Sequence, residues 1–234
     1  MQFDLVHIWA SMGILSKLVA FALVLMAISS IGVVVERMIA LERNAVDTKH
    51  FAKEAVPFIQ AWDTGKLLST AEKHPRSALA KLVAAGVGRF ERGLSDPEGG
   101  LDAVELARRE IGRRREALSA EFRRGLGVLA SVGSVAPFVG LLGTVIGIIT
   151  AFQSIAVTGS GGLGAVSAGI AEALIVTALG LAVAIPSVLT FNYLSTMIAK
   201  LELGLERSAG ELIDEMENEH GRKSGEHERK AQAA

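Results

Sequence analysis

The chain has 234 residues, half of them hydrophobic, a formal net charge of -1 and no cysteine. The missing thiols exclude disulfides, iron–sulfur clusters, cysteine zinc sites and cysteine nucleophiles. The apolar residues are gathered into blocks, whereas a soluble core would disperse them at amphipathic spacing.

Residues 1–17 form a short, mildly amphipathic lead, with Trp9 as an interfacial anchor. No Asp, Glu, Lys or Arg lies between Lys17 and Glu36, so residues 18–36 can hold a first membrane span of about 20 apolar residues. That run is long for a signal-peptide core and ends at Glu36-Arg37 without an A-x-A-like site, so a retained helix is expected. Residues 37–125 are polar and mostly helical in pattern. Pro57, Gly65, Pro75 and the cluster from Ser95 to Gly100 punctuate them. From Leu101 the pattern runs through Arg124 into a second span at 126–155, and reads as one long helix. A tight glycine-rich loop is expected at 156–164, then a third span at 165–195. A helical stem and charged tail occupy 196–234, the tail from Asn218 without order. The fold class is an all-α integral membrane protein with three transmembrane helices and long cytoplasmic helical extensions.

Charge sets the orientation. Of 24 basic residues, 17 lie in 37–125 and six from Lys200 onward. Positive loops stay in the cytoplasm, so the N-terminus is outside and the C-terminus inside. Lys17, the remaining one, can snorkel to the outer interface.

Span two carries Gly133, Pro137, Gly140, Thr144, Gly147 and Ala151 on one face, and Gly143-x-x-x-Gly147 is a helix-packing spacing. Packing explains the glycines. For Thr144 two readings stay open, a functional hydroxyl or one that simply bonds its own helix carbonyls. Span three has a matching face of Gly169, Ala173, Thr177, Gly180 and Ala184, and Pro186 removes a backbone donor and should kink the helix below.

Glu172 is the one acidic residue in any span, about two turns below the outer end and flanked by apolar residues such as Ile175, Val176, Leu179 and Val183. An ionised side chain deep in a span costs about 2.5–3.5 kcal/mol on insertion scales. A carboxyl that is neutral in one state and charged in another can relay protons. The alternative is a buried acid paired structurally with a partner helix.

Other signals are bland. Gly159-Ser160-Gly161-Gly162-Leu163-Gly164 matches G-x-G-x-x-G, but it follows a span and has no preceding strand, so it reads as a turn. The run Arg108, Arg109, Arg113, Arg114, Arg115, Arg123 and Arg124 is interleaved with Glu105, Glu110, Glu116 and Glu121 beside a membrane. It reads as a solvated, lipid-facing surface, and no nucleic acid is expected. His7, His50, His74, His220 and His227 lack metal-ligand spacing, and no ATP-binding G-x-x-x-x-G-K-[ST] is present. No cofactor, metal or enzymatic activity is expected.

Three stretches together resemble the ExbB/TolQ family, which shares an ancestor with flagellar MotA stators. They are Pro137-Phe138-Val139-Gly140-Leu141-Leu142-Gly143-Thr144-Val145 with Gly147; Gly169 to Leu181 continuing to Ala184-Ile185-Pro186; and Asn192-Tyr193 with Lys200-Leu201-Glu202-Leu203. MotA-like proteins have four spans, and three are read here. The resemblance implies a homopentamer around a pore threaded by a dimer of a single-span ExbD/TolR-like subunit, with a TonB/TolA-like protein and membrane lipids as further partners. It implies a proton-channel motor of the bacterial inner membrane that drives work at the outer envelope. TonB-type import, Tol-type envelope maintenance and gliding-type motility stay open. It places the intramembrane glutamate at Glu172 and the polar threonines at Thr144 and Thr177. The alternative is a non-conducting scaffold for a single-span partner.

Overall fold

A computed structural model describes residues 13–95, 101–158 and 163–232. The lead through Met12, most of the cluster after Ser95 and the centre of the glycine loop, 159–162, lie outside the described residues. All described elements are helices: α1 Ile14–Gln60, α2 Thr64–Lys73, α3 Ala78–Leu94, α4 Ala103–Arg123, α5 Leu126–Thr158 and α6 Leu163–Gln232. Three helical stretches are long and apolar enough to cross a membrane. The chain divides into two units, an apolar one of Met1–Glu36 with Gly125–Ser195, and a polar one of Arg37–Arg124 with Thr196–Ala234.

The apolar unit places small residues inside and large ones outside. Val19, Ala20, Leu23, Val132, Ala136, Val176 and Ala184 form its core. Phe21, Ile28, Phe138, Leu141, Phe152 and Leu189 are exposed, as suits a surface solvated by lipid tails. Glycine permits the closest approach of α5 and α6. A Cβ on Gly180 would lie 2.7 Å from the Ala136 carbonyl oxygen and 3.0 Å from Gly140 Cα. One on Gly140 would lie 3.1 Å from Thr177 Cα. Backbone atoms cannot rotate away, so neither site has room for a side chain.

In the polar unit the apolar residues point inward, with Phe51, Leu67, Leu82, Phe90, Leu118 and Met216 fully buried. Local chemistry delimits the helices. Pro57 sits in the last turn of α1, which ends at Gln60, and Trp62 adopts φ +48° in the turn beyond. The Asp63 carboxylate caps α2 by accepting from the Lys66 N–H at 3.0 Å. Pro75 falls in the next turn, and the Ser77 hydroxyl caps α3 by accepting from the Ala80 N–H at 3.1 Å. Buried Asn44 takes the Ala78 N–H at 2.8 Å, tying α1 to the start of α3.

Two expectations are corrected. The helix from Leu101 does not run unbroken into the second span. Arg124 is extended, Gly125 has φ +81°, and α4 and α5 are separate helices. Left-handed backbone is open to glycine at little cost, so a continuous polar-to-apolar pattern conceals the break. The stretch after Asn218, expected without order, continues α6 to Gln232. Leu212, Ile213 and Met216 are buried just before it, and His220 Nε2 lies 3.2 Å from Asp102 Oδ1. Those contacts supply what the charged composition lacks.

Candidate functional site

Glu172 stands on α6 among contacts that glycine makes possible. Its neighbour Ala173 is buried, and a Cβ on Gly147 would lie 2.8 Å from Ala173 Cβ. Gly169 takes the Ala151 methyl the same way, at 2.6 Å, one turn nearer the start of α6. At about 100° per residue, Gly169, Val176, Gly180, Ala184 and Ser187 form one stripe, and Glu172 lies about 40–120° to one side of them. It is half-buried, on the flank of the α5–α6 contact, with exposed Ala168 and Leu179 on its outer side. Among the described residues no hydrogen-bond or ion-pair partner reaches its carboxyl. The arrangement is an acid held at the edge of a helix pair, accessible to whatever lies beside that face.

The two threonines are placed differently. Thr177 donates its hydroxyl to the Gly140 carbonyl of α5 at 2.9 Å, so it meets the neighbouring helix and points away from Glu172. Thr144, buried, donates to the Leu141 carbonyl of its own helix at 2.7 Å. Both hydroxyl protons are engaged by backbone carbonyls, so each oxygen is left as an acceptor, for water or another donor. Gly143 packs on Val176 and Val19, with Val19 Cγ1 3.2 Å from the position of a Cβ. Pro137 and Pro186 lie inside α5 and α6.

Sequence reasoning missed a buried hydroxyl pair. Ser30 on α1 and Ser187 on α6 are 2.8 Å apart. Ser187 donates to the Val183 carbonyl at 2.7 Å, so Ser30 is the donor between them. The pair sits just past Pro186, where the helix lacks one backbone bond. The signal available was periodic: Ser187 continues the Gly169–Gly180 stripe seven residues on.

With this geometry in place, comparison with known proteins is decisive. The profile of the MotA/TolQ/ExbB proton channel family matches residues 77–207, more than half of the chain. The chain belongs to the MotA/TolQ/ExbB family. Among curated members, it is 37% identical over 140 residues to the biopolymer transport protein ExbB of Salmonella typhimurium strain LT2, covering 59% of this chain and 56% of that protein. It is 40% identical over 141 residues to the Tol-Pal system protein TolQ of Pseudomonas aeruginosa, covering 57% and 59% respectively. It is 33% identical over 174 residues to ExbB of Neisseria gonorrhoeae, covering 74% of each. The match thus spans a little over half the length of the Salmonella ExbB. The family profile takes in Glu172, Thr144, Thr177 and the glycines around them.

Proposed function

We propose that this chain is the proton-conducting subunit of a motor driven by the proton-motive force in the bacterial inner membrane. Its N-terminus is periplasmic and its C-terminus cytoplasmic. Five copies surround a pore that holds a dimer of an ExbD/TolR-like single-span subunit, and a TonB/TolA-like protein passes the work to the outer envelope. Glu172 takes up a proton from the outer side and releases it toward the cytoplasm through an acid of the partner. Thr144 and Thr177, with their protons engaged by carbonyls, accept hydrogen bonds from water along that route. Pro137, Gly140, Gly143, Gly147, Gly169, Gly180 and Pro186 shape the helix pair that carries the acid.

The observation that carries this reading is the placement of Glu172. It is an acid in an apolar span of a proton-channel family member, half-buried on the flank of the packed pair, not enclosed in the core. A flank position lets the carboxyl face a neighbouring chain and exchange protons there. The driving force is about 2.3 kcal/mol per charge for each 100 mV, so the charged and neutral states must interconvert at modest cost.

Glu172→Gln keeps shape and one hydrogen-bonding oxygen but cannot titrate. In vesicles holding the chain with its single-span partner, Glu172→Gln should abolish proton influx and leave the complex intact on native mass spectrometry. Undiminished influx in an assembled Glu172→Gln complex would overturn the relay and leave a non-conducting scaffold.

A further inference from the structure

Two contacts fix the register of α1 against α6. A Cβ on Gly143 would meet both Val176 and Val19, so those two residues share one height. Further along both helices, the Ser30 and Ser187 hydroxyls lie 2.8 Å apart, at a numbering difference of 157. Val19 and Val176 differ by that same 157 (176 − 19). The helices therefore run parallel in one register, and Lys17 stands at the height of Leu174. That is two residues, or about 3 Å of helix rise, from Glu172.

Among the described residues of the apolar unit, the charged side chains are Lys17, Glu36 and Glu172. Glu36 registers near Tyr193, about 30 Å of rise from Glu172. The stretch of α5 packed beside Glu172, from Gly143 to Ala151, carries no titratable group. Tyr193, the one titratable phenol of that unit, lies at the far end beside Glu36 in this register, and Asp4 and His7 lie outside the described residues. Lys17 and Glu172 are both half-buried, and no ion pair joins them within the chain. A lysine ammonium rides on a flexible four-carbon stem, so it can act at a distance or swing toward the carboxylate.

We infer that Lys17 is the counter-charge of Glu172, a positioning residue that makes the ionised carboxylate affordable between proton transfers. The inference rests on Glu172 being the proton carrier. A carrier must spend part of each cycle charged, at a depth where an isolated charge is costly. A cation at the same height offsets that cost through a poorly screening medium. Any assembly that rotates copies about the membrane normal preserves heights, so the argument holds for Lys17 of the same copy or of the adjacent one.

The test is an infrared titration of the Glu172 carboxyl in the full chain in proteoliposomes, with Glu172→Gln identifying its band. Neutral Lys17→Met keeps the apolar stem. Losing the cation should move the pH of half-protonation upward, because the ionised carboxylate loses an attractive charge. Lys17→Arg should restore the wild-type midpoint. Lys17→Gln supplies a second neutral variant should Lys17→Met fail to assemble. An unchanged midpoint in the neutral variants overturns the inference. So does a shift in Lys17→Arg as large as in Lys17→Met, which would trace the effect to packing and not to charge. Proton influx through Glu172→Gln vesicles separates the two failures. If that variant conducts, the channel reading falls, whatever the titration says of Lys17.

Discussion

At the residue scale, His74 in the polar unit has the clearest dependence on pH. Its Nδ1 lies 2.7 Å from Asp47 Oδ1 and its Nε2 3.4 Å from Glu54 Oε2, while Phe51 meets its ring edge-on. Hydrogen bonding to Asp47 raises the His74 pKa above its ordinary 6.5; burial opposes this, and Glu54 adds to it. Burial alone would push Asp47 up, but His74 and the Arg76 N–H outweigh it and hold its pKa below 3.8. A raised histidine stabilises the fold fully below its unfolded value and loses that contribution as pH rises through the folded value. A lowered aspartate contributes above its unfolded value and loses that contribution as pH falls through the folded one. Stability of this unit should therefore be greatest between about pH 4 and 6.5 and decline as pH rises beyond that window. Thermal unfolding of His74→Gln should lose the decline above about pH 6.5 and be weaker at pH 6 by about 1.5–3 kcal/mol, the value of a hydrogen bond to a charged group. Glu172 was legible from the sequence because an acid inside an apolar run is costly wherever it packs. The hydrogen-bond partners of Thr177 and Ser30 were not, because helical periodicity gives a residue's face but not the atom opposite it. The Gly140 carbonyl and the Ser187 hydroxyl appear only when helices distant in sequence are set side by side.

At the element scale, glycine acts in opposite ways in the two units. Gly112, inside α4, has open space where a Cβ would go, so Gly112→Ala should gain up to about 1 kcal/mol from helix propensity. Gly180→Ala gains the same propensity but drives its methyl into the Ala136 carbonyl and Gly140 Cα. Overpacking costs about 1–3 kcal/mol, so the net change should be destabilising, and Gly180→Leu more so. Denaturant unfolding in detergent micelles, followed by circular dichroism, should show shifts of opposite sign for Gly112→Ala and Gly180→Ala. The small-residue faces could be read from their spacing, as could the three apolar helices from the gaps in charge. The break at Gly125 could not, because helical periodicity continues on both sides of a single residue that alone adopts φ +81°. Arg123 binds Glu202 through Nε at 2.9 Å and Nη2 at 2.6 Å, a two-pronged tie between α4 and α6. That tie depends on long-range placement, although Glu202 belongs to the stretch that first suggested the family.

At the scale of the whole molecule, the charge distribution predicts topology. With 17 of 24 basic residues in 37–125, that segment should face the cytoplasm. The chain has no native cysteine, so Ser95→Cys gives one thiol against a blank background. A membrane-impermeant maleimide should label it in inverted vesicles and not in intact spheroplasts; labelling from outside would reverse the orientation. The arrangement of small residues inside and large ones outside, described above for the apolar unit, has a thermodynamic consequence. Water drives the polar unit together, so its unfolding should carry the large positive heat-capacity change of newly hydrated hydrocarbon. Separating the spans within a bilayer exchanges apolar contacts for apolar contacts and hydrates almost nothing. Scanning calorimetry in lipid should therefore find a heat-capacity step scaled to the polar unit alone, and well under about 12–15 cal/mol/K per residue averaged over the whole chain. The stability of the apolar unit should then vary almost linearly with temperature, and cooling should not loosen it.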